Sequence, residues 1–199
     1  MTLGAVALVL ALSGCSWFSG TAKEKVEPLP LACPRVSIDK VTSHLTRFRD
    51  GPGRDITDKT LEAEITGFTG DCGRTKTGED VTLTVAFSAN RGPAAKERTL
   101  DIPYFVAVSR LAPLSGRDKA DGEAPAVGSD GSREREILSK QIFRVASAFP
   151  EGINTIRFRD EDIVLELRLS PSETARGYTV HLGFQLTPEE IEYNRGRLQ

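Results

Sequence analysis

The chain has 199 residues, with 26 basic and 28 acidic side chains and a formal net charge of −2. So even a balance lacks the basic stripe that nucleic-acid binding needs, and it offers no strong attraction to an anionic lipid surface. With 39% hydrophobic residues, one compact domain is expected, burying roughly 70% of its unfolded surface.

The chain opens with an apolar run, Leu3 to Leu12, broken only by Gly4. Ten residues rise only about 15 Å as a helix, half the hydrocarbon thickness of a bilayer. The run is too short to span and fits the hydrophobic region of a secretory signal. No Lys or Arg precedes Lys23, so translation is expected to start a few residues upstream. The run ends in Leu12-Ser13-Gly14-Cys15, which resembles the lipobox of bacterial lipoproteins. The resemblance covers the first fifteen residues. It implies a signal peptide over 1–14, a diacylglycerol on the Cys15 thiol, cleavage just before Cys15 and acylation of the new amino group. Each buried methylene contributes about 0.8 kcal/mol, so several acyl chains hold a protein where one would not. Ser16 follows where aspartate would retain such a protein at the inner membrane, so the resemblance implies the outer membrane, on its periplasmic face, with the inner membrane as the alternative.

Residues 15–32 read as the lipidated cysteine and a flexible tether of Ser, Gly, Lys, Glu and Pro. Trp17 and Phe18 suit a membrane interface. With Cys15 lipidated, Cys33 and Cys72 remain as an even pair in an oxidising compartment, which favours a disulfide. A metal site is the competing reading; it needs further ligands at short spacing, and the sequence has no CxxC or HxxxH.

Residues 33–199 form the expected domain. Apolar and polar side chains alternate with period two at Leu61–Ile65, Val81–Phe87, Leu100–Val108, Ile163–Leu169 and Tyr178–Leu186. Half-buried strands read this way. "PRVSIDKV" and "LSKQIFRVASAF" read as two more, the second with a short helix as its alternative. "RDGPGRD", "TGDCGRTKTGED" and "NRGPAAKER" carry turn chemistry. The sum predicts an all-β fold, an antiparallel sandwich of about seven strands. Its architecture resembles immunoglobulin-like or fibronectin-like envelope modules. Residues 111–136, rich in Gly, Ala, Ser, Pro and charge, are expected to be a long mobile insertion. At the end, Thr187, Pro188 and Glu190 predict a capped helix with Ile191 and Leu198 on one face.

No catalytic set, cofactor motif or metal motif emerges. Ser37-Ile38-Asp39-Lys40, Lys76-Thr77-Gly78 and Ser129-Asp130-Gly131 mimic the SxxK, KTG and SDN of penicillin-binding proteins, but in the wrong order and without a helix at the serine. Ser43 and His44 are neighbours whose side chains should point apart in an extended segment, and His181 reads as outward-facing. Asp50, Asp55 and Asp58, and the run Arg159 to Asp162, lack the spacing of a calcium loop and read as solvated turns. Pro103 within "LDIPYFVAV" places that strand at a sheet edge, with Phe105 and Ala107 on its outer face, where a partner strand could add. Cover by the insertion or the terminal helix is the alternative. The expected role is a non-enzymatic structural or protein-interaction module, with an envelope protein as partner and the membrane engaged through lipid. Ligand or glycan binding is the second reading, and hydrolysis a distant third.

Overall fold

The computed structural model describes residues 31–111, 135–170 and 173–198. The lipobox with Cys15, the signal segment, Trp17, Phe18, Ser129-Asp130-Gly131 and nearly all of the predicted insertion lie outside these residues. Eight strands are described: β1 (Arg35–Ile38), β2 (His44–Phe48), β3 (Lys59–Arg74), β4 (Gly78–Arg91), β5 (Thr99–Leu111), β6 (Arg135–Ala148), β7 (Thr155–Arg168) and β8 (Tyr178–Phe184). One helix, α1 (Pro188–Arg197), follows. The strands form two sheets, ordered β1-β8-β5-β6 and β2-β3-β4-β7. The protein is an all-β sandwich with a short C-terminal helix.

Alternation decides which side chains meet between the sheets. On β4, Val81, Leu83, Val85, Phe87 and Ala89 are buried; on β5, Leu100, Ile102, Tyr104, Val106 and Val108 face them. Ile163, Leu165 and Leu167 of β7 and Tyr178, Val180, Leu182 and Phe184 of β8 complete the two inner faces. The centre is aromatic. The Phe87 ring lies 5.2 Å from Tyr104, 5.4 Å from Phe158 and 6.0 Å from Phe184, and Tyr104 stacks on Phe143 at 5.5 Å. The Tyr104 hydroxyl donates to Asp160 Oδ2 across the sheets at 2.6 Å. Burial and that carboxylate together hold the phenol above its ordinary range.

Several expectations change. A short strand the alternation did not reveal, β2, brings the count to eight. The segment read as strand at 138–149 is strand, as expected, but β6 begins earlier, at Arg135, and ends at Ala148. Most of "TGDCGRTKTGED" is strand as well: β3 runs to Arg74 and β4 starts at Gly78, leaving a three-residue turn. Gly78 makes that turn possible, with φ +155° and a Leu167 carbonyl where a Cβ would sit. The sandwich is also not wholly antiparallel, because β1 joins β8 in parallel, Arg35 opposite Thr179 and Ile38 opposite Leu182. A tight hairpin cannot make such a pair; the whole of the chain between the two strands intervenes.

The helix starts as predicted. Thr187 Oγ1 accepts from the Glu190 N–H, Glu190 returns the bond to the Thr187 N–H, and Pro188 follows the cap. Its packing meets expectation in part, since Ile191 packs against the core. Leu198 is 58% exposed. The buried contact is Asn194, whose Nδ2 donates to the carbonyls of Val41 and His44 at 2.8 and 2.7 Å.

Cys33 and Cys72 form the expected disulfide, with Cα atoms 5.6 Å apart. It ties the residues before β1, in one sheet, to β3 in the other. Closing a loop with a sequence separation of 39 stabilises by roughly 4 kcal/mol through unfolded-state entropy. Urea unfolding of the Cys33→Ser/Cys72→Ser double variant should show a loss of this order; unchanged stability would mean that the bridge constrains nothing in the unfolded chain.

Candidate functional site

A sandwich has four sheet edges, and each exposes unpaired backbone groups that can recruit another strand. Here three are protected. β1 is four residues long and lies beside the disulfide. β2 is five residues long and sits under α1, where Phe48 meets Tyr193 edge-on at 5.2 Å and Arg47 reaches Glu190 at 3.4 Å. β7 is long, but its exposed positions Arg157, Arg159, Glu161, Glu166 and Arg168 are charged, with Val164 among them.

The fourth edge, β6, is different. Every residue from Arg135 to Ile142 is exposed. Ile137 is 68%, Ile142 59% and Leu138 40% exposed, with Leu111 of β5 beside them at 42%. The sequence explains why. Val145 and Phe143 occupy inward positions opposite Ile102 and Tyr104 and join the core. The next inward positions, opposite Val106 and Val108, are Gln141 and Ser139. With no apolar side chain to bury there, nothing draws this half of β6 onto the facing sheet. A bulge follows, Ser139 pairing with Val108 and Ile137 with Ser109, so Leu138 is the additional residue.

Backbone direction can be read from the ladder. The Gln185 N–H donates to the Pro103 carbonyl at 2.9 Å, so odd-numbered β5 residues here turn their backbone groups to β8 and even-numbered ones to β6. The β6 partners of the even set are Val145, Phe143, Gln141 and Ser139. The backbone groups of Lys140, Ile142 and Arg144 therefore face the open edge.

This corrects the expectation for Pro103, Phe105 and Ala107. Their strand, β5, lies between β8 and β6 and is no edge. Proline fits because the backbone nitrogen of Pro103 points where β8 has already ended, at Phe184. Ala107 is buried opposite His181 and Lys140. The Phe105 ring uses the space left by Gly183, where a Cβ would approach it to 2.8 Å, and Lys140 Nζ sits 4.5 Å from its centroid. The open edge is the next strand over. Its sequence signal was weak, since Ile137-Leu138 and Ile142-Phe143 are adjacent pairs that break the alternation.

The Ser43–His44 pair also differs from expectation, whereas His181 lies on the outer face of β8 as read. Ser43 follows a turn, and its Oγ lies 2.8 Å from His44 Nδ1. That hydroxyl also lies 3.0 Å from the Lys40 carbonyl, inside the turn that precedes β2. His44 Nε2 is 3.5 Å from Glu64. His181 is half-buried, with Nε2 2.8 Å from Ser109 Oγ, and Ser109 is 1% exposed, out of reach of a substrate. Ser37 lies on extended β1 and Lys76-Thr77-Gly78 spans the β3–β4 turn, in different sheets. Asp55 and Asp58 cap one 3₁₀ turn, and Asp58 pairs with Arg49. Asp160 is the acceptor of Tyr104. Among the described residues no cluster of His, Cys, Asp and Glu has metal-site geometry.

A cleft of about 1240 Å³ opens at the end of the sandwich formed by the last residues of β2 and β6 and the first of β3 and β5. Leu61, Leu100 and Phe149 line it with Arg47, Arg49, Lys96, Asp50 and Asp101. Its mixed charge selects no ligand class. Among the described residues no helix is long and apolar enough to cross a membrane. No family model, characterised protein or solved structure matches the chain.

Burial pushes the His181 imidazole below its ordinary value of 6.5; Arg135 adds to the effect and Asp39 opposes it. The unfolded chain then takes up the proton more readily than the fold. This contribution is complete above about pH 6.5 and is lost as pH falls toward the lower folded value. Urea midpoints at pH 7.5 and 5.5 should therefore converge in His181→Gln relative to the unaltered chain. An equal pH dependence in both proteins would contradict the assignment.

Proposed function

We propose that the chain is a lipid-anchored protein of the bacterial cell envelope whose sandwich is a non-enzymatic protein-interaction module. Its anchor is Cys15, and its place is the periplasmic face of the outer membrane. The observation that carries the interaction role is the exposed half of β6, with Ile137, Leu138 and Ile142 along an edge that no described residue covers. The lipobox-like Leu12-Ser13-Gly14-Cys15 supports the address, and the Cys33–Cys72 bridge suits an oxidising compartment. An envelope protein is the partner this role calls for.

The end cleft favours a second reading, ligand binding. The two separate cleanly: thermal-shift screening against cell-wall fragments should leave the midpoint unchanged for an interaction module and raise it for a ligand binder.

The address has its own test. In the native host, mass spectrometry of the mature N-terminus should find acylated Cys15, and Cys15→Ser should move the protein out of the membrane fraction. An unlipidated mature N-terminus would overturn the anchor.

A further inference from the structure

We infer that β6 docks an extended acidic segment of a partner protein, which adds to the sheet as a further strand beside Lys140 and Ile142. The inference rests on the interaction-module reading and goes beyond it by stating the partner's chemistry.

Three observations converge. The first is backbone: Lys140, Ile142 and Arg144 present their N–H and C=O groups to the open edge, as the Pro103–Gln185 bond and the β5–β6 register require. A strand laid there gains main-chain hydrogen bonds, and its alternate side chains meet those of β6. The second is apolar exposure. Among the described residues nothing covers Ile142 or Ile137 on this edge, whereas the other long edge, β7, is screened by charge.

The third is charge. Glu136 is neutralised by Arg110 at 3.1 Å and Arg144 by Asp101 at 2.6 Å. Lys140 and Arg135 have no carboxylate partner among the described residues. Lys140 lies over the Phe105 ring and Arg135 donates to Thr179 Oγ1. The edge is therefore cationic where it is also apolar. That argues against a second copy of this chain. Two antiparallel β6 strands centred on Ile142 set Lys140 opposite Arg144, which is paired with Asp101 and brings Lys140 no carboxylate of its own, and centring on Lys140 opposes the two ammonium groups. Centring between them lays each Lys140 on the other copy's Ile142, a charge against an apolar side chain. A foreign strand with a carboxylate opposite Lys140 and an apolar residue opposite Ile142 satisfies both positions. Those two partner residues lie two apart in its sequence, on one face.

The test uses the full chain and a synthetic peptide of repeating Glu-Thr-Val-Thr units, with a Lys-Thr-Val-Thr counterpart. In an amide chemical-shift titration the glutamate peptide should shift the resonances of Lys140–Arg144 and bind at least tenfold more tightly than the lysine peptide. Ile142→Pro removes an N–H that points to the open edge and no bond to β5. It should abolish binding, and Lys140→Glu should weaken it at least tenfold. Should the proline variant fail to fold, Lys140→Glu carries the test alone. Val164→Pro is the matched control on β7. There Leu169 donates to Thr77 of the β3–β4 turn, so even-numbered positions face outward, and binding should persist.

Equal binding of both peptides, or binding indifferent to Ile142→Pro and Lys140→Glu, overturns the inference. A dimer in sedimentation that Ile142→Pro dissolves overturns it in favour of a second copy. Absence of peptide binding also overturns it. Photo-crosslinking in cells from positions 142 and 164 then decides the parent reading. A defined envelope protein crosslinked at position 164 alone keeps the module and discards the β6 site, and no adduct at either position discards both.

Discussion

The Phe87 ring is the point on which the two sheets close. It reaches β5 through Tyr104, β7 through Phe158 and β8 through Phe184, and Tyr104 carries the contact on to β6 through Phe143. Five strands from both sheets thus meet around one group of rings. Edge-to-face and stacked pairs of this kind contribute about 0.5–1.5 kcal/mol each beyond the area they bury. The Tyr104 hydroxyl would be costly to bury alone, and Asp160 accepts its hydrogen bond from the opposite sheet. The cluster also marks where close packing of β6 stops. Beyond Phe143 that strand has only Gln141 and Ser139 to offer inward, and it keeps its ladder to β5 while its side chains face solvent.

The molecule is therefore polar along its length. One end holds the β3–β4 turn, the disulfide, the first residue of β1, and Leu111 opposite Arg135. The other end holds the cleft and the 92–98 loop, where Arg98 donates to the Phe149 and Ile153 carbonyls and fixes the approach of β5 to β6. Cys33 lies at the first end, so on the lipoprotein reading the cleft is at the end of the sandwich away from the point where the anchoring segment joins. The exposed stretch of β6 starts at the tethered end and runs toward the middle.

Much of this was legible because period-two alternation reports a face. It found β4, β5, β7 and β8 and most of their core residues. The Thr187–Glu190 cap and the cysteine pair were legible because their chemistry is local or countable. What alternation does not report is a strand's neighbours. Pro103 suggested an edge because a missing N–H normally implies one, yet the donor is missing where β8 ends, inside the sheet. β2 escaped notice because Leu45 and Thr46 are both buried, one toward each side, and leave no alternating signature. The open half of β6 escaped for a related reason: its aliphatic residues are adjacent rather than spaced. The Ser43–His44 contact depends on a turn whose shape is set by Asp39, which accepts from the Val41 and Thr42 N–H groups, and no pair rule foresees that.

The position of the disulfide has a mechanical consequence. Tension arriving along the N-terminal segment meets Cys33 before it meets β1. The covalent bridge diverts the load to Cys72 on β3, whose ladder with β4 runs from Leu61 to Arg74. The four-residue parallel pairing of β1 with β8, the shortest ladder among the described strands, stays out of the line of force. A domain with this wiring can be pulled from its N-terminal side without being unzipped from its own first strand.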